Sequence, residues 1–121
     1  MRKILVPTDF SDCASNALEY AIFLSKKLDA EIVLLSAYHI PSSGAATIVV
    51  NIQEDLRKET QEELDSLIAL KTKKYSGLKI SSAIDFNIPS NSIVRMVNKI
   101  EFDMVVLGTT GASGFKDIFL G

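Results

Sequence analysis

The sequence predicts an α/β fold, an open parallel sheet with helices on both of its faces. Three observations carry this. KILVP (Lys3 to Pro7), EIVLLSAY (Glu31 to Tyr38) and DMVVLG (Asp103 to Gly108) are short apolar runs with the Val, Ile and Leu content of strands buried on both faces. The segments between them carry apolar residues at three- and four-residue spacing, the period of an amphipathic helix. Strands alternating with helices as βαβαβαβ must run parallel, and right-handed crossovers set the helices on both sides.

The elements follow in order. After the first strand, Ala14, Ala17, Leu18, Ala21, Ile22, Leu24 and Leu28 mark a helix from Ser11 to Leu28, with Ser11 or Asp12 as its N-cap. The second strand leads into HIPSSGAATIVV (His39 to Val50), read as a Pro-, Gly- and Ser-punctuated loop with an apolar end. From about Ile52 to Tyr75, Leu56, Thr60, Leu64, Leu67, Ile68 and Tyr75 define one face of a long charged helix that Gly77 stops. LKISSAIDF (Leu78 to Phe86) alternates in polarity, which suits a strand at the edge of the sheet. Beyond Pro89, Ser90 is placed to cap a helix through Ile100 with Ile93, Val94, Met96, Val97 and Ile100 facing inward.

Composition narrows the class. A chain of 121 residues, 47% hydrophobic, makes one domain with one real core, burying roughly two-thirds of the surface that its unfolded form exposes. With 13 basic and 15 acidic residues the net charge is −2, and KTKK (Lys71 to Lys74) is the longest basic block, so nucleic acid is not an expected partner. The opening MRKILVPTDF has too short an apolar run for a signal peptide, and no stretch approaches the length of a membrane span. A lone cysteine, Cys13, fits a reducing compartment, and a cytoplasmic protein is expected.

In open parallel sheets a ligand binds beyond the carboxyl ends of the strands, where the strand order reverses. The segments there are PTDFSD, SAYHI, FNIPS and GTTGASG. The last opens GTTGASGFKDIFLG, in which Gly108, Gly111 and Gly121 have two and then nine residues between them. Such glycines let main-chain N–H groups close on an anion; equally, Gly108 and Gly111 can simply turn the chain and Gly121 cap FKDIFL. Neither a G-x-x-x-x-G-K-[ST] loop nor G-x-G-x-x-G is present.

The stretch KILVPTDFSDCASNALEYAIFLSKKLDAEIVLLSAY, followed much later by DMVVLGTTGASGFKDIFLG, resembles the universal stress protein family over essentially the whole chain. ATP-binding members carry G-x2-G-x9-G-(S/T) after the fourth strand, and Gly108, Gly111 and Gly121 match its three glycines. The resemblance implies a Rossmann-like, adenine nucleotide α-hydrolase-like sheet of order 3-2-1-4-5 with ATP, with or without Mg, at the carboxyl ends of strands one and four. Pro7, Thr8 and Asp9 match the stretch near adenine and ribose, and Ala37 the position whose backbone meets the base. Thr109, Thr110 and Ala112 lie within the matched phosphate turn. Asp9 also reads as a helix-capping carboxylate, and the two roles are compatible.

One departure concerns the motif's final Ser/Thr, for which nothing stands after Gly121. The expectation is therefore an incomplete domain over residues 1–121, strand order 3-2-1-4 with the fifth strand missing, and a place as the first half of a tandem protein. The implied function is that of an ATP-binding regulatory or stress-response module, paired as a homodimer or tandem, with no catalytic residue and no metal site assigned. The alternative is a domain of the same family that binds no nucleotide and serves dimerisation or interaction. His39 reads as a loop histidine, Cys13 as a packed or idle thiol, and Phe115, Ile118 and Phe119 as core contacts. The carboxylates of EDLRKETQEELD form a solvated helix face.

Overall fold

A computed structural model of the chain describes residues 2–38, 46–108 and 116–120. Strands β1 (Arg2–Pro7), β2 (Ala30–Ala37), β3 (Ile80–Asp85), β4 (Met104–Gly108) and β5 (Lys116–Leu120) alternate with helices α1 (Asp12–Leu28), α2 (Ala46–Lys74) and α3 (Pro89–Lys99), except that no helix separates β4 from β5 among the described residues. The sheet order is β3-β2-β1-β4-β5, and the first four strands are parallel. The expected order 3-2-1-4 is therefore present.

Beyond β4 the structure adds a strand that the sequence reading did not foresee, the antiparallel β5, while a parallel fifth strand reached through a helix is not among the described residues. β5 pairs antiparallel with β4 from Gly108↔Lys116 to Met104↔Leu120. A parallel crossover needs a dozen or more residues, whereas only residues 109–115 lie between these strands, so the chain can only return antiparallel. The return pairs the side of β4 that would otherwise be an open edge. Ile118 and Phe119, expected as core contacts, lie in this strand opposite Val106 and Val105. His39 and Phe115 lie outside the described residues.

β1 is central, and its Ile4, Leu5 and Val6 are fully buried from both faces. On one face Ile4 and Val6 meet Ala17, Leu18, Ala21 and Ile22 of α1 and Leu64 of α2. On the other, Leu5, Val33, Leu35, Phe102 and Val105 pack with Ile93, Met96 and Ile100 at α3. The α1 cap is Ser11, whose hydroxyl oxygen accepts from Ala14 N at 3.2 Å; Asp29 ends the helix in the left-handed region, φ 51°.

Two helices depart from their readings. α2 begins at Ala46, inside the segment read as a loop; Thr47, Ile48, Val49 and Val50 are β-branched and weak helix formers by propensity alone, which hid this start in the sequence. α3 starts at Pro89 itself, with Ile88 as an N-cap that makes no side-chain bond, so Ser90 is not the cap. Its inner face runs through Ser92, Ile93, Met96 and Ile100, which turns Val94 (55% exposed) and Val97 (37%) to solvent. No helix of the described residues is long and apolar enough to cross a membrane.

Glu19 ties α1 to the end of α2. Its Oε1 accepts from Tyr75 Oη at 2.8 Å and from Lys74 Nζ at 3.4 Å, while Lys71 Nζ faces Oε2 at 3.3 Å as a charge without hydrogen-bond geometry. Burial alone would raise the Glu19 pKa, but Tyr75, Lys71 and Lys74 together hold it below the ordinary value. Lys71 is only 8% exposed, so it depends on this carboxylate. Glu19→Ala should therefore cost about 1–3 kcal/mol, read as a lower urea midpoint at unchanged m-value.

Candidate functional site

The carboxyl ends of β1, β2 and β4 border a cleft of about 180 Å³. β1 and the start of α1 supply Pro7, Thr8, Asp9, Ser11 and Ala14; β2 supplies Leu35 and Ala37; α3 supplies Pro89 and Ile93; β4 supplies Leu107 and Gly108. Five residues chosen from the sequence, Pro7, Thr8, Asp9, Ala37 and Gly108, thus meet in one place. Thr109, Thr110, Gly111, Ala112 and Gly121 lie outside the described residues.

Each member is positioned by local hydrogen bonding. Thr8 N donates to Leu35 O at 2.8 Å, carrying the β1–β2 ladder one residue past Pro7. The Thr8 hydroxyl oxygen then accepts from Phe10 N at 3.1 Å, and Asp9 Oδ1 from Ser11 N at 2.9 Å. Between these bonds Phe10 takes φ 65°, a left-handed conformation that a non-glycine residue adopts only when its surroundings enforce it. The turn is therefore a rigid entry to α1, in which Ser11 caps the helix and Asp9 accepts from the amide of that capping residue while lining the cleft. Its hydrogen bonds from the Ser11 hydroxyl, which outweigh partial burial, and from the Ser11 amide hold its carboxyl below the usual range.

Gly108 has a packing role that spacing could not reveal. A Cβ built there would lie 2.4 Å from the Cys13 carbonyl oxygen and 2.8 Å from its carbon. The end of β4 therefore abuts the first turn of α1, backbone against backbone.

Sequence reasoning missed Ser11, Ala14, Leu35, Pro89, Ile93 and Leu107. The rule placing ligands at strand ends did single out the FNIPS segment, but nothing in it distinguishes Pro89 from an ordinary helix start. Leu35 and Leu107 look in the sequence like any other core residue.

The site has apolar walls from Leu35, Ala14, Ile93 and Leu107 and a polar rim at Thr8, Asp9 and Ser11. Such a cleft can enclose a flat, largely apolar ring and present hydrogen-bonding groups to a polar attachment.

Comparison with known proteins gives the following. The sequence profile of the universal stress protein family matches residues 1–121. Universal stress protein MJ0531 of Methanocaldococcus jannaschii is 34% identical over 129 residues, covering 99% of this chain and 71% of the relative. Among solved structures, the universal stress protein UspA from Lactobacillus plantarum superposes with a TM-score of 0.76 at 24% identity, covering 99% of this chain and 85% of that one. A universal stress protein family protein from Arabidopsis thaliana, solved with AMP bound, gives a TM-score of 0.63 at 19% identity over 93% of this chain and 80% of its own.

Two outcomes follow from the geometry. Gly108→Ala should cost about 1–3 kcal/mol, because backbone rather than a flexible side chain must yield; thermal unfolding would show it as a lowered Tm. Asp9 has a lowered folded pKa, so its stabilisation is present above the unfolded carboxylate value and is lost as pH falls through the folded one. Asp9→Asn should consequently show a shallower loss of stability than the parent below about pH 4, measured by urea unfolding across that range.

Proposed function

Because the chain belongs to the universal stress protein family, we propose that it is an adenine-nucleotide-binding regulatory module, with ATP as its ligand at the rim of β1, β2 and β4. The observation that carries this reading is the convergence of Pro7, Thr8, Asp9, Ala37 and Gly108 on one apolar cleft. Support also comes from the relative of like fold solved with AMP bound.

The residues present suit the base and ribose end of such a ligand. Pro7, Pro89 and Ile93 would hold the faces of the ring, and Ala37 is small enough to leave its backbone reachable. Asp9, with a depressed pKa, stays ionised and can accept from ribose hydroxyls. Gly108 begins the glycine-rich segment through Gly111 and Gly121, to which the phosphates are assigned, with Thr109, Thr110 and Ala112 alongside. Where Mg accompanies the nucleotide, it supplies charge neutralisation at the phosphates. The module acts by being read in its nucleotide state, as a homodimer or beside a second domain.

A second reading has its own observation. The Thr8 hydroxyl oxygen, Asp9 Oδ1 and the space at Gly108 are each used by the fold itself, through Phe10, Ser11 and Cys13. On that reading the domain binds no nucleotide and serves interaction alone.

Calorimetric titration with ATP, ADP and AMP separates the two. Saturable binding of at least one is expected, and Ala37→Phe, which fills the cleft, should weaken it by about 100-fold or more while Tm stays close to the parent's. Absence of binding by all three nucleotides would leave the interaction reading in place.

A further inference from the structure

One residue beyond the cleft, Tyr38 ties the end of β2 to the helix on the other face of the sheet. Successive side chains of a strand point to opposite faces. In β2, Ile32 and Leu34 pack on the side of α1 and α2, and Val33 and Leu35 on the side of α3. Ala37 accordingly faces the cleft with Pro89 and Ile93, while Tyr38 turns to the opposite face and meets α2. There Thr60, only 2% exposed, donates its hydroxyl to Tyr38 Oη at 2.7 Å. The Tyr38 ring lies 6.3 Å from that of Phe86, tilted by 34°, and the Arg57 guanidinium stands 4.8 Å from the centre of the Phe86 ring.

The main chain shows what this anchor controls. Leu35 O accepts from Thr8 N at 2.8 Å, and Tyr38 N donates to Asp85 O at 3.0 Å. In a parallel ladder the N–H and C=O of alternate residues point to alternate sides, so Leu35 and Ala37 turn theirs toward β1 and Tyr38 turns its own toward β3. The register of β1 with β2 ends at Pro7↔Leu35, which directs the Ala37 groups past the end of β1, toward the rim that Thr8 and Asp9 also line. Ala37 C=O and Tyr38 N–H belong to one planar trans peptide and point in opposite directions. Holding the Tyr38 N–H on β3 therefore fixes the Ala37 carbonyl on the cleft side.

That main-chain bond is the last between β2 and β3 among the described residues, and strand ends are where a sheet opens most readily. The Tyr38 side chain opposes such opening, because lifting it would leave the buried Thr60 hydroxyl without an acceptor. We propose that Tyr38 is a positioning residue of the cleft: tied to Thr60, it keeps the Ala37 carbonyl aimed to accept from the exocyclic amino group of an adenine ring. The inference rests on the nucleotide reading of the cleft and adds the means by which one base is preferred. A fixed carbonyl accepts from an amino group, whereas a base carrying oxygen at that position leaves it unpaired and repelled.

Calorimetric titration of the full chain with ATP and with inosine triphosphate, whose base carries oxygen in place of the amino group, tests this. The parent should bind ATP about tenfold or more tightly than inosine triphosphate. Tyr38→Phe should weaken ATP about three- to tenfold and leave inosine triphosphate within about twofold, so that the preference shrinks. Tyr38→Phe also strands the Thr60 hydroxyl and should lower Tm; combining it with Thr60→Val removes both partners and should recover most of that Tm while the preference stays low. A preference that returns with Tm, or that never changes in Tyr38→Phe, would reduce Tyr38 to packing and overturn the proposal while nucleotide binding stands. A parent that binds both nucleotides equally would overturn it as well. If the parent binds neither, the nucleotide reading falls and this inference falls with it. Should Tyr38→Phe alone fail to fold, the double variant decides on the same terms.

Discussion

A hydrogen atom is all that fits between Cα of Gly108 and the carbonyl of Cys13. That one close approach fixes the end of β4 against the beginning of α1, and with it the spacing of the two strand ends that frame the cleft. β1 and β4 are neighbours in the sheet, yet the path from β1 into α1 must rise over the rim that β4 reaches. Any side chain on Gly108 would push the helix away, and the apolar floor contributed by Ala14 would move with it.

The turn from β1 to α1 completes what this contact begins. Thr8, Asp9 and Ser11 each spend a side-chain oxygen on a nearby main-chain N–H, and Phe10 holds a left-handed backbone between them. A conformation of that kind persists only when neighbouring bonds over-determine it. The result is a rim whose polar groups are fixed before any ligand arrives, which lowers the ordering cost of binding.

Much of this architecture was legible in the residues. β1, β2 and β4 announce themselves because they are buried on both faces, and α1 because Ala14, Ala17, Leu18, Ala21 and Ile22 keep a helical period. The rim segments after β1, β2 and β4 followed from topology, since a parallel sheet gathers its strand ends in one place, and the family resemblance narrowed them to Pro7, Thr8, Asp9, Ala37 and Gly108. Less legible was whatever depends on a partner distant in sequence. The inner face of α3 is set by Ser92, buried although small and polar, and no periodicity of apolar residues shows that. β5 is a strand because β4 has a side to pair, not because KDIFL differs in kind from a core segment of a helix. Leu35, Ile93 and Leu107 became walls of a cleft only once the sheet had brought them together.

The central pairing has a bearing on how the molecule is made. Lys3 and Asp103 grip one another through two bonds, Lys3 N to Asp103 Oδ2 at 2.8 Å and Asp103 N to Lys3 O at 2.9 Å, across a separation of 100 residues. During synthesis β1 emerges before β4 and can associate early with α1 and β2, but its opposite flank must wait for β4. Until β4 has been made, β1 therefore presents one unpaired side, the kind of surface that chaperones capture. The architecture that buries Ile4, Leu5 and Val6 on both faces of the finished sheet leaves their strand half-paired in the nascent chain.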